Sequence, residues 1–244
     1  MKEQSSTDIL FNEARAMGLS PRWLNEYGLF TITINTQPVY LLGSIPPLNN
    51  RLACMISANK HATRQIVDEL GLPNIPYIFS ENVEDVLNFL KTHTRIIAKP
   101  IMGSRSRQAQ FITTRERLIK LNFHKYIFEK YIEGTQLRHL ILKDTVVAVH
   151  HKEYRGRISR PATTKHHSLP KDEWSKELCT TARLIAQALH LDFAAVDFII
   201  DAQTKVGYIL EVNAAPSIRW FQNPSTGPAV NVAHLLLENV IENS

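Results

Sequence analysis

Nine glycines are spread along the 244-residue chain, at positions 18, 28, 43, 71, 103, 134, 156, 207 and 227, and no two are closer than ten residues. That spacing removes several folds at once. A G-x-G-x-x-G dinucleotide loop needs glycines two and three apart, and a P-loop needs them five apart. The G-x-S-x-G elbow of the α/β-hydrolases is excluded for the same reason. A nucleotide, if this chain takes one, must be held by something other than a glycine-rich loop.

The rest of the composition is that of a folded globular chain. Hydrophobic residues make up 44% and charged residues 21%, far from the disordered range. The length suits one domain of two lobes or two small domains. Cys54 and Cys179 form no C-x-x-C pair and no disulfide framework, which predicts reduced thiols and a cytoplasmic setting. The N-terminal stretch MKEQSSTDILFNE has no apolar h-region, so no signal peptide is expected, and no apolar run reaches membrane-spanning length. The net charge is +5, and residues 151–171 alone hold six Lys/Arg against one Glu. Charge gathered in one apolar-poor segment is either a solvated loop or a mobile loop that meets an anion. A nucleic-acid binder more often spreads charge along a face or helix.

Periodicity and punctuation predict an α+β chain. Helices are expected over 8–17, 60–70, 80–93, 174–190 and 230–243, with a short one after Thr114. Asn59 is the expected N-cap of the second, and Gly18 and Gly71 are expected stops. Strands are expected over 30–34, 39–42, 77–79, 95–99, 109–112, 126–132, 136–149, 194–200 and 207–212. Residues 46–50 read as a loop, as does the basic segment up to Pro170. Hairpins dominate the second half, which favours antiparallel sheets over a doubly wound parallel one.

The hairpin over 194–213 carries the sharpest chemical signal. A turn centred on Thr204 sets Asp197 opposite Glu211, and Asn213 then points to the same face. Two carboxylates and an amide oxygen converge there, a hard oxygen set suited to Mg²⁺ or Mn²⁺. Both acids lie in strongly apolar strands, AAVDFII and YILEV, where an unpaired charge is costly. The alternatives are a register shifted by one, or pairing with a nearby Lys or Arg. Lys99 ends the strand RIIAK above a Gly103-Ser104 turn, a place where a lysine meets a phosphate or simply faces water. The segment FEKYIEG, 128–134, is either an ordinary strand end or an edge for a flat heterocycle. His150, His151, His166 and His167 sit in the basic segment and are expected to be exposed to solvent.

In order, the segments NKHATRQIVDELGLPNIP, IIAKPIMGSRS, FEKYIEGTQLR, AAVDFII and ILEVNAAPSIR resemble the ATP-grasp superfamily, over nearly the whole chain from Ile9 to Ile241. The tail PSIRWFQNPSTGPAVNVA looks most like the ATP-grasp region of the cyanophycin synthetases. RimK-like and glutathione-synthetase-like carboxylate–amine ligases are similar at greater distance. The resemblance implies two α+β lobes gripping ATP: a short N-terminal subdomain (1–58), a first lobe (59–125) and a second lobe with the metal site (126–244). It implies that Lys60, Lys99 and Ser104 contact phosphates. Glu129, Lys130, Tyr131 and Ile132 match the adenine-holding linker, and Gln136 falls at the ribose position. Asp197, Glu211 and Asn213 match the magnesium ligands. Arg138 matches an arginine near the transferred phosphate, and Arg219 is placed for a carboxylate or acyl phosphate.

The implied reaction is Mg²⁺-dependent amide formation from ATP, a carboxylate and an amine through an acyl phosphate, with the basic segment Arg155 to Lys171 closing over the phosphates or an acidic substrate. The implied partners are a small-molecule or peptide carboxylate and an amine, with no nucleic acid and no membrane. The short N-terminal lobe is compatible with a homodimer. The chain departs from the family pattern in its glycine-poor 103–108 loop and in Asn59, where Asp commonly precedes the lysine. Those departures keep a second reading open, an ATP-binding regulatory or partner-dependent module with little turnover.

Overall fold

The structure, a computed structural model, describes residues 4–43, 47–103, 109–155 and 163–243. The chain opens with α1 (Ser6–Ala16), β1 (Arg22–Trp23), β2 (Leu29–Ile34) and β3 (Gln37–Leu42). Next come α2 (Arg51–Ala58), α3 (Lys60–Glu69), β4 (Tyr77–Ile78), α4 (Val83–His93), β5 (Ile96–Pro100), β6 (Gln110–Ile112), α5 (Arg115–Leu118) and β7 (Tyr126–Lys130). The last part holds β8 (Gly134–Leu142), β9 (Thr145–Arg155), β10 (Thr163–Ser168), α6 (Lys176–Ala188), β11 (Phe193–Asp201), β12 (Gly207–Asn213), α7 (Arg219–Gln222) and α8 (Val232–Glu242).

Short polar side chains set where the helices begin. Ser5, Asn50, Asn59, Asn82, Ser175 and Asn231 each accept a hydrogen bond from a backbone N–H of the first turn of α1, α2, α3, α4, α6 and α8. Ser5 and Asp8 complete a reciprocal capping box. Helix α2 follows directly on the loop read over 46–50, in a stretch to which the sequence reading gave no element. Its eight residues, RLACMISA, bury just Ala53 and Ser57, too narrow a stripe for periodicity to reveal.

Among the described residues these strands form three antiparallel sheets, in the orders β1-β2-β3, β4-β7-β5-β6 and β10-β9-β8-β11-β12. The predicted α+β architecture with antiparallel sheets is therefore the one observed. Strand β7 pairs with β5 and β4, inside the four-stranded sheet. The chain crosses to the five-stranded sheet only at 131–133, past the division at 125/126 read from the sequence. The single strand expected over 136–149 is two, β8 and β9, joined at Lys143-Asp144 with Lys143 at φ 51°. That turn has neither glycine nor proline, so Asp144 was its only signal in the sequence.

The basic segment is also not all loop. Strand β10 pairs with β9 from Thr163↔Arg155 to Ser168↔His150. This pairing buries His150 and His166 completely or nearly so, at 0% and 4% exposure, against the expectation of solvent exposure. His151 and His167 are half-buried.

Apolar packing fixes the layers. One face of the five-stranded sheet packs on α6 through Val196, Phe198, Ile209 and Val212 against Ala182 and Ile185. One end of the opposite face packs Phe193, Ala195 and Leu140 with α1, α8 and the β2–β3 hairpin. The four-stranded sheet has its own core with α4 and α5, including Ile96, Ala98, Phe128 and Leu118. The rest of the large sheet's opposite face, around Arg138 and Asp197, lines a cleft.

Candidate active site

A cavity of about 1060 Å³ lies between the four- and five-stranded sheets, and Ser5, Ser6, Tyr27 and Leu42 of the N-terminal part also line it. Lys99, Glu129, Lys130, Tyr131 and Ile132 line it from one side. Gln136, Arg138, Asp197, Glu211 and Asn213 line it from the other, with Arg219 near Trp220. Eleven sequence-selected positions therefore share one cleft. Lys60 is not among its lining residues. Its ammonium donates to the Gly103 carbonyl at 2.6 Å. Burial lowers the Lys60 pKa; Glu211 opposes that and Lys99 adds to it. Ser104 lies outside the described residues.

One wall is built by a charged row across the large sheet. Glu211, Asp197, Arg138 and His150 are successive register partners on β12, β11, β8 and β9, so their side chains share a face. Asp197 does stand opposite Glu211. The hairpin, however, is not symmetric about Thr204. From the turn outward the pairs are Ile200↔Gly207, Ile199↔Tyr208 and Phe198↔Ile209, and a bulge then leaves Leu210 as an extra residue before Asp197↔Glu211. The bulge turns both Leu210 and Glu211 toward the cleft, while Ile209 and Val212 face the α6 core.

Asp197 is 2% exposed and fully engaged. Arg138 donates Nε and Nη2 to its two oxygens, at 2.6 Å each, and Lys152 Nζ donates to Oδ2 at 3.0 Å. Burial alone raises an aspartate pKa, but Arg138 and Lys152 outweigh it and hold this carboxyl far below the usual range. The pairing with an Arg and a Lys and the facing of Glu211, posed as alternatives in the sequence, both occur.

The opposite wall has a matching device. Glu129 is 1% exposed; Lys99 Nζ donates to Oε2 at 2.5 Å and Arg64 Nε to Oε1 at 2.9 Å. Burial again raises the pKa, and Arg64 and Lys99 reverse it, bringing it down to about 2. Lys130, Tyr131 and Ile132 follow at the cleft edge. The Tyr131 ring packs edge-on to Phe111 and under Arg95. An apolar slot lies beyond them, where Ile75, Ile132 and Ile199 pack with Tyr208 and Leu210.

Several site residues escaped the sequence reading. Arg64 is 3% exposed on α3, and its helical position gave no sign of a buried charge. Lys152 and His166 were lost in a segment read as loop. Trp220 stacks on His166 at 4.7 Å, with the Arg219 guanidinium 4.1 Å from its ring centre. Burial, with Arg138 acting in the same direction, pushes His150 and His166 down to about 4 and about 3. Both are neutral imidazoles at ordinary pH.

A cleft between two antiparallel sheets, with a lysine–glutamate pair on one wall and a carboxylate–amide set on the other, is the arrangement of a nucleotide-gripping enzyme. A family model described as the RimK-like ATP-grasp domain matches residues 57–240, and the chain belongs to that family. It is similar to the tetrahydromethanopterin:alpha-L-glutamate ligase of Methanocaldococcus jannaschii, at 25% identity over 83% of this chain and 72% of that protein. It is also similar to the D-alanine–D-alanine ligase of Carboxydothermus hydrogenoformans, at 27% identity over 68% of this chain and 62% of that one. Among solved structures, a bifunctional glutathione synthetase from Pasteurella multocida shares the fold with a TM-score of 0.73 and 14% identity, covering 98% of this chain and 44% of that one. This chain therefore spans less than half of the glutathione synthetase and 62% of the D-alanine–D-alanine ligase. Among the described residues, no helix is long and apolar enough to cross a membrane.

Proposed function

We propose that the protein is an ATP-dependent carboxylate–amine ligase, making an amide through an acyl phosphate. The observation that supports this best is the juxtaposition, across one cleft of about 1060 Å³, of Lys99–Glu129 and the Asp197–Glu211–Asn213 face. That volume is at the upper end for small-molecule sites, about 300–1,000 Å³, and accommodates a nucleotide with a second substrate.

The donor set fits a hard divalent cation. Asp197 and Glu211 offer carboxylate oxygens and Asn213 an amide oxygen on one face. The Asn213 Nδ2 is buried with no hydrogen-bond partner, so no contact of that nitrogen ties the amide down and its oxygen is able to turn to a metal. Magnesium held there would neutralise the phosphates of ATP and polarise the one transferred.

The chain's own groups do the rest. Ile75, Ile132 and Ile199 offer the apolar slot for the base, beside the 129–132 edge. Gln136 stands where a ribose hydroxyl is to be met. Lys99 presents an ammonium group on the phosphate side, and Lys60 is held nearby at the Gly103 carbonyl. Arg138, oriented bidentately by Asp197, places a fixed positive charge where charge develops on the transferred phosphoryl group. Arg219, stacked on Trp220, faces the carboxylate substrate. No protein nucleophile is required, since positioning and charge neutralisation carry this class of reaction. The free thiols Cys54 and Cys179 support a cytoplasmic setting.

One observation favours a second reading, nucleotide binding without turnover. Asp197 already shares both oxygens with Arg138 and Lys152, so a metal must compete for them. Incubation with ATP, Mg²⁺ and pooled amino acids or short peptides separates the two, with ADP release and product mass as readouts. ADP formed only with a particular pool supports the ligase. Tight ATP binding without ADP in any pool supports the module, and absence of both defeats each reading.

A further inference from the structure

Arg64 contacts the two walls of the cleft at once. Toward the four-stranded sheet, its Nε donates to Glu129 Oε1 at 2.9 Å, and the other oxygen of that carboxylate holds Lys99. Toward the five-stranded sheet, Nη1 donates to the Ile209 carbonyl at 2.5 Å and Nη2 to the Leu210 carbonyl at 2.9 Å. Nη1 also reaches Asn74 Oδ1 at 2.9 Å, and the Ile209 N–H donates to the Pro73 carbonyl at 3.1 Å. Ile209 and Leu210 are the two residues that form the β12 bulge before Glu211.

A bulge removes its extra residue from the ladder, so the Leu210 carbonyl has lost its place in the sheet. Arg64 supplies the missing donor. The bulge is also what turns Glu211 toward the cleft alongside Leu210. We infer that Arg64 is a positioning residue that ties Lys99, through Glu129, to Glu211, through the bulge. One planar guanidinium then sets the spacing between the phosphate side and the metal side of the site. The inference rests on the ligase reading for what Lys99 and Glu211 do, and on geometry alone for the clamp itself. A lysine cannot replace it fully. Its single ammonium is able to keep the Glu129 ion pair, but it lacks the rigid fork that reaches two carbonyls in the opposite direction.

The test uses the full chain with Arg64→Lys and Arg64→Met, after circular dichroism confirms that each folds. The first readout needs no ligand: amide hydrogen exchange of peptides covering 126–130 and 207–213. Arg64→Met is expected to exchange about tenfold faster in both, and Arg64→Lys in 207–213 alone. Unchanged exchange at 207–213 in both folded variants overturns the clamp. If Arg64→Met does not fold, Arg64→Lys decides it.

The second readout is calorimetric binding of ATP, with and without Mg²⁺. Arg64→Lys is expected to keep metal-free affinity within about threefold and to lose about tenfold of the gain conferred by Mg²⁺. Arg64→Met is expected to lose both. An equal Mg²⁺ gain in the wild type and Arg64→Lys overturns the coupling. A wild type that binds no ATP defeats the ligase reading instead, and the exchange data still decide whether Arg64 holds the two walls.

Discussion

Asp197 and Glu211 face each other across β11 and β12, yet they sit in different electrostatic settings. Asp197 is buried and receives Arg138 and Lys152, whereas Glu211 is half-buried beside the Lys60 charge. One of the two opposed carboxylates is chiefly held, and the other is chiefly presented to the cleft.

That contrast predicts different costs for neutralising them. Asp197→Asn removes the buried carboxylate that Arg138 and Lys152 share, and breaking a buried ion pair costs about 3–5 kcal/mol. Glu211→Gln is expected to cost about 1 kcal/mol or less while removing the Mg²⁺ dependence of nucleotide binding. Urea unfolding of each variant, with calorimetry, checks both halves. Adding Lys152→Met to Asp197→Asn should recover part of the lost stability.

Acid should destabilise the protein in two stages. His139, His150 and His166 are pushed down to about 4, about 4 and about 3, chiefly by burial. The unfolded chain takes up protons at these groups below its ordinary histidine pKa of 6.5 and the native state does not. Stability is therefore full above that pH and falls as pH drops toward 4, by up to about 1.4 kcal/mol per pH unit for each group. Glu129, held at about 2, acts further down. Its contribution is present above the unfolded glutamate value of 4.5 and is lost as pH falls toward 2. Unfolding midpoints measured from pH 8 to pH 4 should decline from near 6.5, and the slope should be shallower in His150→Phe.

Gly134 begins β8, where the chain crosses from one sheet to the other. A methyl group added there runs into the Ile200 carbonyl. Backbone must move to admit it, so Gly134→Ala is expected to cost about 1–3 kcal/mol and to weaken nucleotide binding through the adjoining 129–132 edge. Thermal unfolding and ATP titration test the two effects separately.

The stack of Arg219 on Trp220 and Trp220 on His166 predicts a residue-type requirement at position 219. Arg219→Lys keeps the charge but loses the planar stack. With a substrate pool that supports ADP release, both Arg219→Lys and Arg219→Ala should raise the apparent KM for the carboxylate about tenfold, with a smaller change in kcat. Full activity in Arg219→Lys would show that charge alone suffices there.

Local signals made much of this legible. Capping residues, alternating apolar strands and acids embedded in them revealed the antiparallel α+β plan and the Asp197–Glu211 pair. Even that pair was reached through a symmetric turn that does not exist; the extra residue Leu210 compensates for it. The β8–β9 turn at Lys143-Asp144 and the short helix α2 were marked only by Asp144 and by the Asn50 cap, too little to set them apart. The burial of His150, Lys152 and His166 depends on β9 pairing with β10 across a basic, loop-like stretch, so composition argued against it.

By itself the sequence determined which strands carry carboxylates, where helices start, and that no glycine-rich loop holds the nucleotide. Tertiary structure decided which charges are partnered. Arg64 reaches Glu129 on β7 and the carbonyls of Ile209 and Leu210 on β12, and Arg138 reaches Asp197 on β11. These partners lie far apart along the chain, and local periodicity carries no information about them. A buried charge is affordable only where such partners converge, and that convergence is a property of the packed sheets.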